Sequence, residues 1–364
     1  MTETLGTPPA ERLPVTLLTG FLGAGKTTLL SHLIRDPAMS NAAVIINEFG
    51  AVSLDHDLVE RVDDDIVEVS GGCLCCTVRG DLVRALHDLM LKRTQGQIKA
   101  FDRVVIETTG LADPAPILQT FMTDPLAFDK FRLDGVVCVV DGVNGDGTLD
   151  DHEEAVKQAA VADRILLTKT DLPEAAAYST ALSARLKQLN PGATLLPVAH
   201  GRIDARQILN VGPFDPAAKG AQVEDWLRAE AYGHGDHAGH EHHDHDHAHH
   251  PDVNRHDAHI RAFCFVRETP VKIESLQFLL QLLATMRGPD LLRVKAIVNV
   301  EGNPDTPAVM HGVQHVLHPV TWLKAWPSDD RRTRVVFIVR DITEDQITGL
   351  MESLADDDLA AATG

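Results

Sequence analysis

The chain has 364 residues, 44% hydrophobic and 24% charged, a globular balance that excludes a disordered, collagenous or coiled-coil polypeptide and predicts two domains. Lys and Arg number 33 against 53 Asp and Glu, for a formal net charge of -20. Such a chain repels phosphate backbones, which argues against nucleic-acid binding, and it suits a protein that handles cations.

Met1 to Pro14 carries no basic stretch followed by an apolar run, and no uninterrupted apolar stretch approaches the roughly 18 residues of a membrane span, so neither a secretory signal nor a membrane segment is expected. Residues 14–19 read as a short buried strand, Gly20 to Thr28 as a glycine-rich turn, and Leu29 to Ile34 as the start of a helix. Further apolar runs are Ala43 to Ile46, Ile66 to Val69, Arg103 to Ile106, Val136 to Val140 and Arg164 to Leu167. They end, respectively, at Asn47, Ser70, Glu107, Asp141 and Thr168. Helical patterns such as Asp81 to Leu91 and His152 to Val161 lie between several of them. Short apolar strands alternating with helices predict an α/β fold with a mostly parallel, doubly wound sheet, whose ligands bind beyond the carboxyl ends of the strands.

The pattern changes after Gly212. Of the 19 histidines, 11 fall between His234 and His259 among Asp, Gly and Ala, a composition that cannot bury a core and reads as a flexible linker over 213–258. Order is expected to resume with a strand at Ile260 to Val266 and a helix at Ile273 to Met286. Strands at Leu292 to Val300 and Val335 to Val339 and a helix at Glu344 to Leu354 follow, in a smaller α+β domain over 259–354. Residues 1–212 then form the first domain and 355–364 an acidic tail.

The strongest chemical signal is Gly20-Phe21-Leu22-Gly23-Ala24-Gly25-Lys26-Thr27-Thr28, a phosphate loop of the form G-x-x-x-x-G-K-[ST] between a strand and a helix. Glycines let the backbone wrap a phosphate with N–H groups turned inward, and the helix N-terminus adds positive potential. Lys26 reaches the β- and γ-phosphates and the Thr27 hydroxyl ligates Mg²⁺. Thr168-Lys169-Thr170-Asp171 is a variant of the N-K-x-D element, with Thr in place of Asn. One carboxylate at Asp171 accepts from both N1–H and the N2 amine of guanine, which adenine does not offer, and the Lys169 stem lies along a ring face. Glu107-Thr108-Thr109-Gly110 ends another strand. Its position puts Glu107 near Mg²⁺ or the attacking water, and the Gly110 N–H near the γ-phosphate. No arginine finger or Ras-like glutamine follows Gly110, so slow hydrolysis without a partner is expected.

Cys73, Cys75 and Cys76 account for three of the five cysteines. An odd, clustered set reads as reduced cytoplasmic thiols rather than a disulfide framework. Three thiols within four residues can converge on one soft or borderline cation, with a fourth ligand or an open position supplied from elsewhere, and Glu48 is a candidate. A redox dithiol and simple packing are the alternatives. Cys138 and Cys264, each flanked by apolar residues, read as core. The histidine segment suits Zn²⁺, Co²⁺, Ni²⁺ or Cu²⁺ at several weak sites, for capture or buffering.

Together these motifs resemble the CobW-like metallochaperone family of G3E-class phosphate-loop GTPases. The resemblance rests on Thr19 to Thr28, Ile46-Asn47-Glu48-Phe49-Gly50, Gly71 to Cys76, Glu107 to Pro114, Leu167 to Asp171, the histidine stretch and the terminal domain. It implies slow GTP hydrolysis coupled to holding Zn²⁺ or Co²⁺ and delivering it to a client metalloprotein, with Cys73, Cys75 and Cys76 as ligands and Glu48 nearby. Ala51 stands where relatives often carry an acid. The competing readings are a phosphate-loop kinase or ATPase with structural thiols, and passive metal storage by the histidine segment.

Overall fold

The computed structural model describes residues 11–46, 78–211 and 259–353. Six parallel strands, β1 (Leu13–Gly20), β2 (Ala42–Ile46), β3 (Arg103–Glu107), β4 (Phe131–Asp141), β5 (Arg164–Thr168) and β6 (Thr194–Pro197), form one sheet in the order β2-β3-β1-β4-β5-β6. β1 lies between β3 and β4, so the order reverses beside it and a crevice opens at its carboxyl end. Alternate residues of β1 enter opposite cores. Val15 and Leu17 pack with the helices Val78–Thr94 and Ala115–Thr123, and Leu18 packs with Leu29, Leu30 and Leu33 of the helix Lys26–Leu33. With both faces covered, the strands need continuous apolar runs, the pattern that made them legible.

Five of the six apolar runs in this domain are strands, and the sixth, Ile66 to Val69, lies outside the described residues. Three elements differ from expectation. The helix after the phosphate loop opens at Lys26, not Leu29, with Gly25 as its N-cap in a left-handed conformation (φ 95) that glycine adopts without strain. β4 starts at Phe131, five residues before the expected strand, and its buried Asp134 is tied to neighbouring segments. The Oδ2 of Asp134 accepts the Asn210 N–H at 2.7 Å and the Thr16 hydroxyl at 3.4 Å. The helix Gly145–Asp151, rich in Gly and Asp, was unexpected; Arg185 pins it through Asp146 and Asp150, each at 2.7 Å.

The second sheet is antiparallel. Its strands β7 (Ile260–Arg267), β8 (Leu291–Val300), β9 (Asn303–Val313), β10 (Val316–Leu317) and β12 (Thr333–Arg340) run in the order β10-β9-β8-β12-β7, and β11 (Thr321–Trp322) pairs with β9. The helices Ile273–Arg287 and Glu344–Glu352 cover one face, over Val294, Ala296, Phe337 and Val339. β9 was not anticipated because Pro304 and Pro307 interrupt it; they fall opposite the register shift between Val298 and Val300, where β8 makes no ladder pairing. Cys138 is a core residue as expected, and burial pushes its thiol up to about 12. Cys264 is only half-buried, on the more open face of the edge strand β7.

The opposite face of the second sheet lies against the first domain. Val313 and Ile338 join the first domain's core, and beside them Arg293, Lys295 and His311 point the same way by strand alternation. Asp163, just before β5, meets them. Its carboxylate accepts from Arg293 Nη2 at 2.9 and 3.0 Å, from Lys295 Nζ at 2.7 Å and from the Val136 N–H at 2.9 Å. Burial alone would raise this carboxyl; Arg293 and Lys295 outweigh it and hold Asp163 well below the usual carboxylate range.

Candidate functional site

The phosphate loop leaves β1 at Gly20, whose φ of 142 is closed to other residues; a Cβ there would stand 2.3 Å from the Val139 carbonyl oxygen. Gly23 is also left-handed (φ 72), and the loop turns through it and Ala24 into Gly25. The first turn of the helix Lys26–Leu33 then borders the hollow, through Lys26, Thr27 and Thr28. Lys26 folds back over the loop, donating from Nζ to the carbonyls of Gly20 at 2.8 Å and Phe21 at 3.1 Å. The hollow is a trough of about 1220 Å³ open to solvent. Lys26, Thr27, Glu107, Gly110 and Lys169 line it, as does Ile46 at the end of β2.

The Thr27 hydroxyl donates to Glu107 Oε1 at 3.1 Å, joining the ends of β1 and β3. The Thr109 hydroxyl, buried at the trough's wall, has no hydrogen-bond partner among the described residues. A hydroxyl, a carboxylate and an unsatisfied buried hydroxyl at one spot are oxygen donors of the kind that holds Mg²⁺ and its water shell, so the residues present fit that ion. Gly110 sits hard against the phosphate loop: a Cβ on it would come within 2.6 Å of the Leu22 nitrogen.

The variant N-K-x-D element follows β5. Thr168 replaces asparagine but ties the strand to the phosphate loop, its hydroxyl 2.7 Å from the Ala24 carbonyl and 3.1 Å from that of Val140. Lys169 is left-handed (φ 57) and its Nζ donates to Asp141 Oδ2 at 2.6 Å. Burial would raise the Asp141 carboxyl, but Lys169, Val143 and Asn144 together hold it below its ordinary value. Asp171 Oδ1 accepts the His200 backbone N–H at 2.9 Å, and Oδ2 lies 3.0 Å from the His200 ring Nδ1. The backbone bond from His200 is the main cause of a lowered Asp171 pKa, so the carboxylate is ionised and ready to accept.

Of the expected nucleotide residues, Gly23, Gly25, Lys26, Thr27, Thr28, Glu107, Gly110 and Lys169 line the trough, while Asp171 lies outside its lining, two residues after Lys169. Cys73, Cys75, Cys76 and Glu48 lie outside the described residues, as do ten of the eleven clustered histidines. His259, the eleventh, pairs its Nδ1 with Asp341 at 2.7 Å. Sequence reasoning missed Asp141 and His200. Asp141 was visible as a strand-end acid without a role; His200 carried no local signal.

A strand–glycine loop–helix cradle, a strand-end acid on its threonine and a guanine-type carboxylate define a phosphate-loop nucleotide-binding protein. Comparison with known proteins narrows the class. The CobW/HypB/UreG nucleotide-binding domain matches residues 14–197, and the cobalamin synthesis protein cobW C-terminal domain matches 260–355. The chain belongs to the CobW family of G3E phosphate-loop GTPases. It is 33% identical over 342 residues to the zinc chaperone YjiA of Escherichia coli, covering 94% of this chain and 98% of that protein. It is 40% identical over 201 residues to zinc-regulated GTPase metalloprotein activator 1 of Schizosaccharomyces pombe, spanning 53% of this chain and 47% of that relative. The crystal structure of Zn(II)-bound YjiA GTPase superposes with a TM-score of 0.65 at 30% identity, covering 94% and 99% of the two chains.

Proposed function

We propose that this chain is a cytoplasmic GTP-hydrolysing metallochaperone that binds Zn²⁺ or Co²⁺ at Cys73, Cys75 and Cys76 and passes it to a client metalloprotein. The phosphate loop grips the triphosphate, with Lys26 leaving its two carbonyl contacts to meet the β- and γ-phosphates. Mg²⁺, when bound with the nucleotide, supplies positive charge where the leaving group gains negative charge. Thr27 and Glu107 would hold it. Gly110 presents its N–H to the γ-phosphate, and Asp171 selects guanine. Turnover without a partner is expected to be slow.

The observation that carries the coupling is the placement of β2 and β3 side by side, both ending at the trough. Ile46 lines the trough, and Glu48 stands two residues further along the chain, on the connection that also carries the three cysteines. A γ-phosphate that orders this connection brings Glu48 toward the thiols, and hydrolysis releases it. Linkage makes the effect reciprocal: GTP tightens the metal as much as the metal tightens GTP. Zn²⁺ affinity is measured by competition titration with a non-hydrolysable GTP analogue and again with GDP. Tighter binding with the analogue is expected, and equal affinities would remove the coupling. The two relatives, named a zinc chaperone and a zinc-regulated GTPase metalloprotein activator, support zinc over cobalt as the cargo.

A further inference from the structure

The helix Glu153–Ala160 touches both Gly110, in the wall of the trough, and the second domain. Near its C-terminal end, fully buried Gln158 donates from Nε2 to the carbonyls of Gly110 at 3.1 Å and Ala112 at 3.0 Å, using both amide hydrogens. One residue earlier, Lys157 Nζ lies 3.7 Å from Asp113 Oδ2 and 3.0 Å from Glu153 Oε1. His152, at the helix N-cap, stacks its ring on Phe21 of the phosphate loop, with centroids 4.3 Å apart. The second domain grips the same helix at both ends. Arg340 of β12 donates to Glu153 while its Nε reaches Asp290 at 3.2 Å, and Arg293 of β8 donates to the Val161 carbonyl just past the last turn.

Glycine at 110 has the widest backbone freedom in the segment that follows β3, so its orientation has to be imposed from outside. Leu22 limits it on one side, and the Gln158 carboxamide fixes the two carbonyls that follow. We infer that Gln158 is a positioning residue for GTP hydrolysis, holding the Gly110–Ala112 backbone against the phosphate loop, and that Arg340 makes this hold depend on the second domain. The inference rests on the proposed role of Gly110 at the γ-phosphate. A change in the second domain, such as client docking, is then felt at the hydrolytic site through one buried amide.

The test uses the full chain and measures steady-state GTP hydrolysis beside GDP affinity. Gln158→Met keeps the side-chain volume and removes both donors; it should lower kcat about tenfold or more with the GDP Kd within about twofold, because misplacement of the reacting geometry costs rate rather than ground-state binding. Arg340→Ala should lower kcat about threefold, and the double variant should be no slower than Gln158→Met alone, since the two act on one link. A Gln158→Met kcat within about twofold of wild type, or rate losses that multiply in the double variant, would overturn the inference. Should Gln158→Met not fold, amide exchange over residues 108–113 in Arg340→Ala with bound GTP analogue decides: faster exchange supports the link and unchanged exchange refutes it. Lys26→Ala separates this from the reading beneath it. If Lys26→Ala still binds and hydrolyses GTP, the trough is misassigned; if it is dead while Gln158→Met is normal, only the positioning claim falls.

Discussion

Replacing Asp163 by asparagine removes one charge from the seam between the two domains and turns one of its two acceptor oxygens into a donor. The wild-type carboxylate receives three charge-assisted contacts at 2.7 to 3.0 Å from Arg293 and Lys295 and a backbone bond from Val136. All three ionised side chains are at most 7% exposed, so solvent screens them little. Asp163→Asn leaves two buried cations facing an amide, and breaking a buried pair in this way costs about 3–5 kcal/mol. At roughly 2–4 °C per kcal/mol, thermal unfolding should move down by about 10 °C, and urea unfolding should show an earlier midpoint. The pH dependence carries the same signature with a defined sign. The folded-state pKa of Asp163 is depressed below the unfolded value near about 3.9, so its stabilisation is complete above that pH and is lost as pH falls further. Asp163→Asn should flatten the stability curve in that acid range. An apolar triple variant, Asp163→Leu with Arg293→Met and Lys295→Met, should recover most of the loss because no charge remains to be desolvated. A loss below about 1 kcal/mol in Asp163→Asn, the value of an exposed pair, would refute the reasoning.

Three further outcomes follow from other parts of the molecule. Asp171→Ala should weaken GDP by roughly 1–3 kcal/mol and erase the preference of GTP over ATP in nucleotide competition; a wild-type protein on which ATP and GTP compete equally would end the guanine assignment. His311 is buried against His318, with ring centroids 4.4 Å apart, and burial, His318 and Arg293 together hold its pKa well below the ordinary value. The unfolded chain therefore binds the proton first, stability should fall as pH drops below about 6.5, and His311→Phe should make that fall shallower in denaturant titrations from pH 7 to 5. Deleting residues 233–250 should leave the tightest metal site intact while Cys75→Ala abolishes it, measured by chelator competition; the opposite ranking would favour passive storage by the histidines.

Five of the six parallel strands were legible because they are largely buried and read as apolar runs that end in a polar signal; β6 (Thr194–Pro197), a partly exposed edge strand, was not read. The phosphate loop was legible because its residue types leave the backbone little choice: Gly20 and Gly25 occupy conformations that β-carbons resist. What escaped reading depends on distant partners. Helix Gly145–Asp151 is made by Arg185, 35 to 39 residues away. β9 carries prolines that only its bulge accommodates. Gln158 looks like any polar residue on a helix until the Gly110 and Ala112 carbonyls, 46 to 48 residues earlier, are seen to converge on it. Asp171 could be assigned from its motif, whereas its clasp by His200 depends on the turn after β6 returning to the same edge.

The seam at Asp163 constrains how such chains can be recombined. A GTPase half grafted onto the terminal half of a relative inherits either a lone carboxylate or two lone cations in a buried joint. Chimeras should therefore express well only when acid and bases travel together, and drift at any one of these three positions should be tolerated only alongside change at the others.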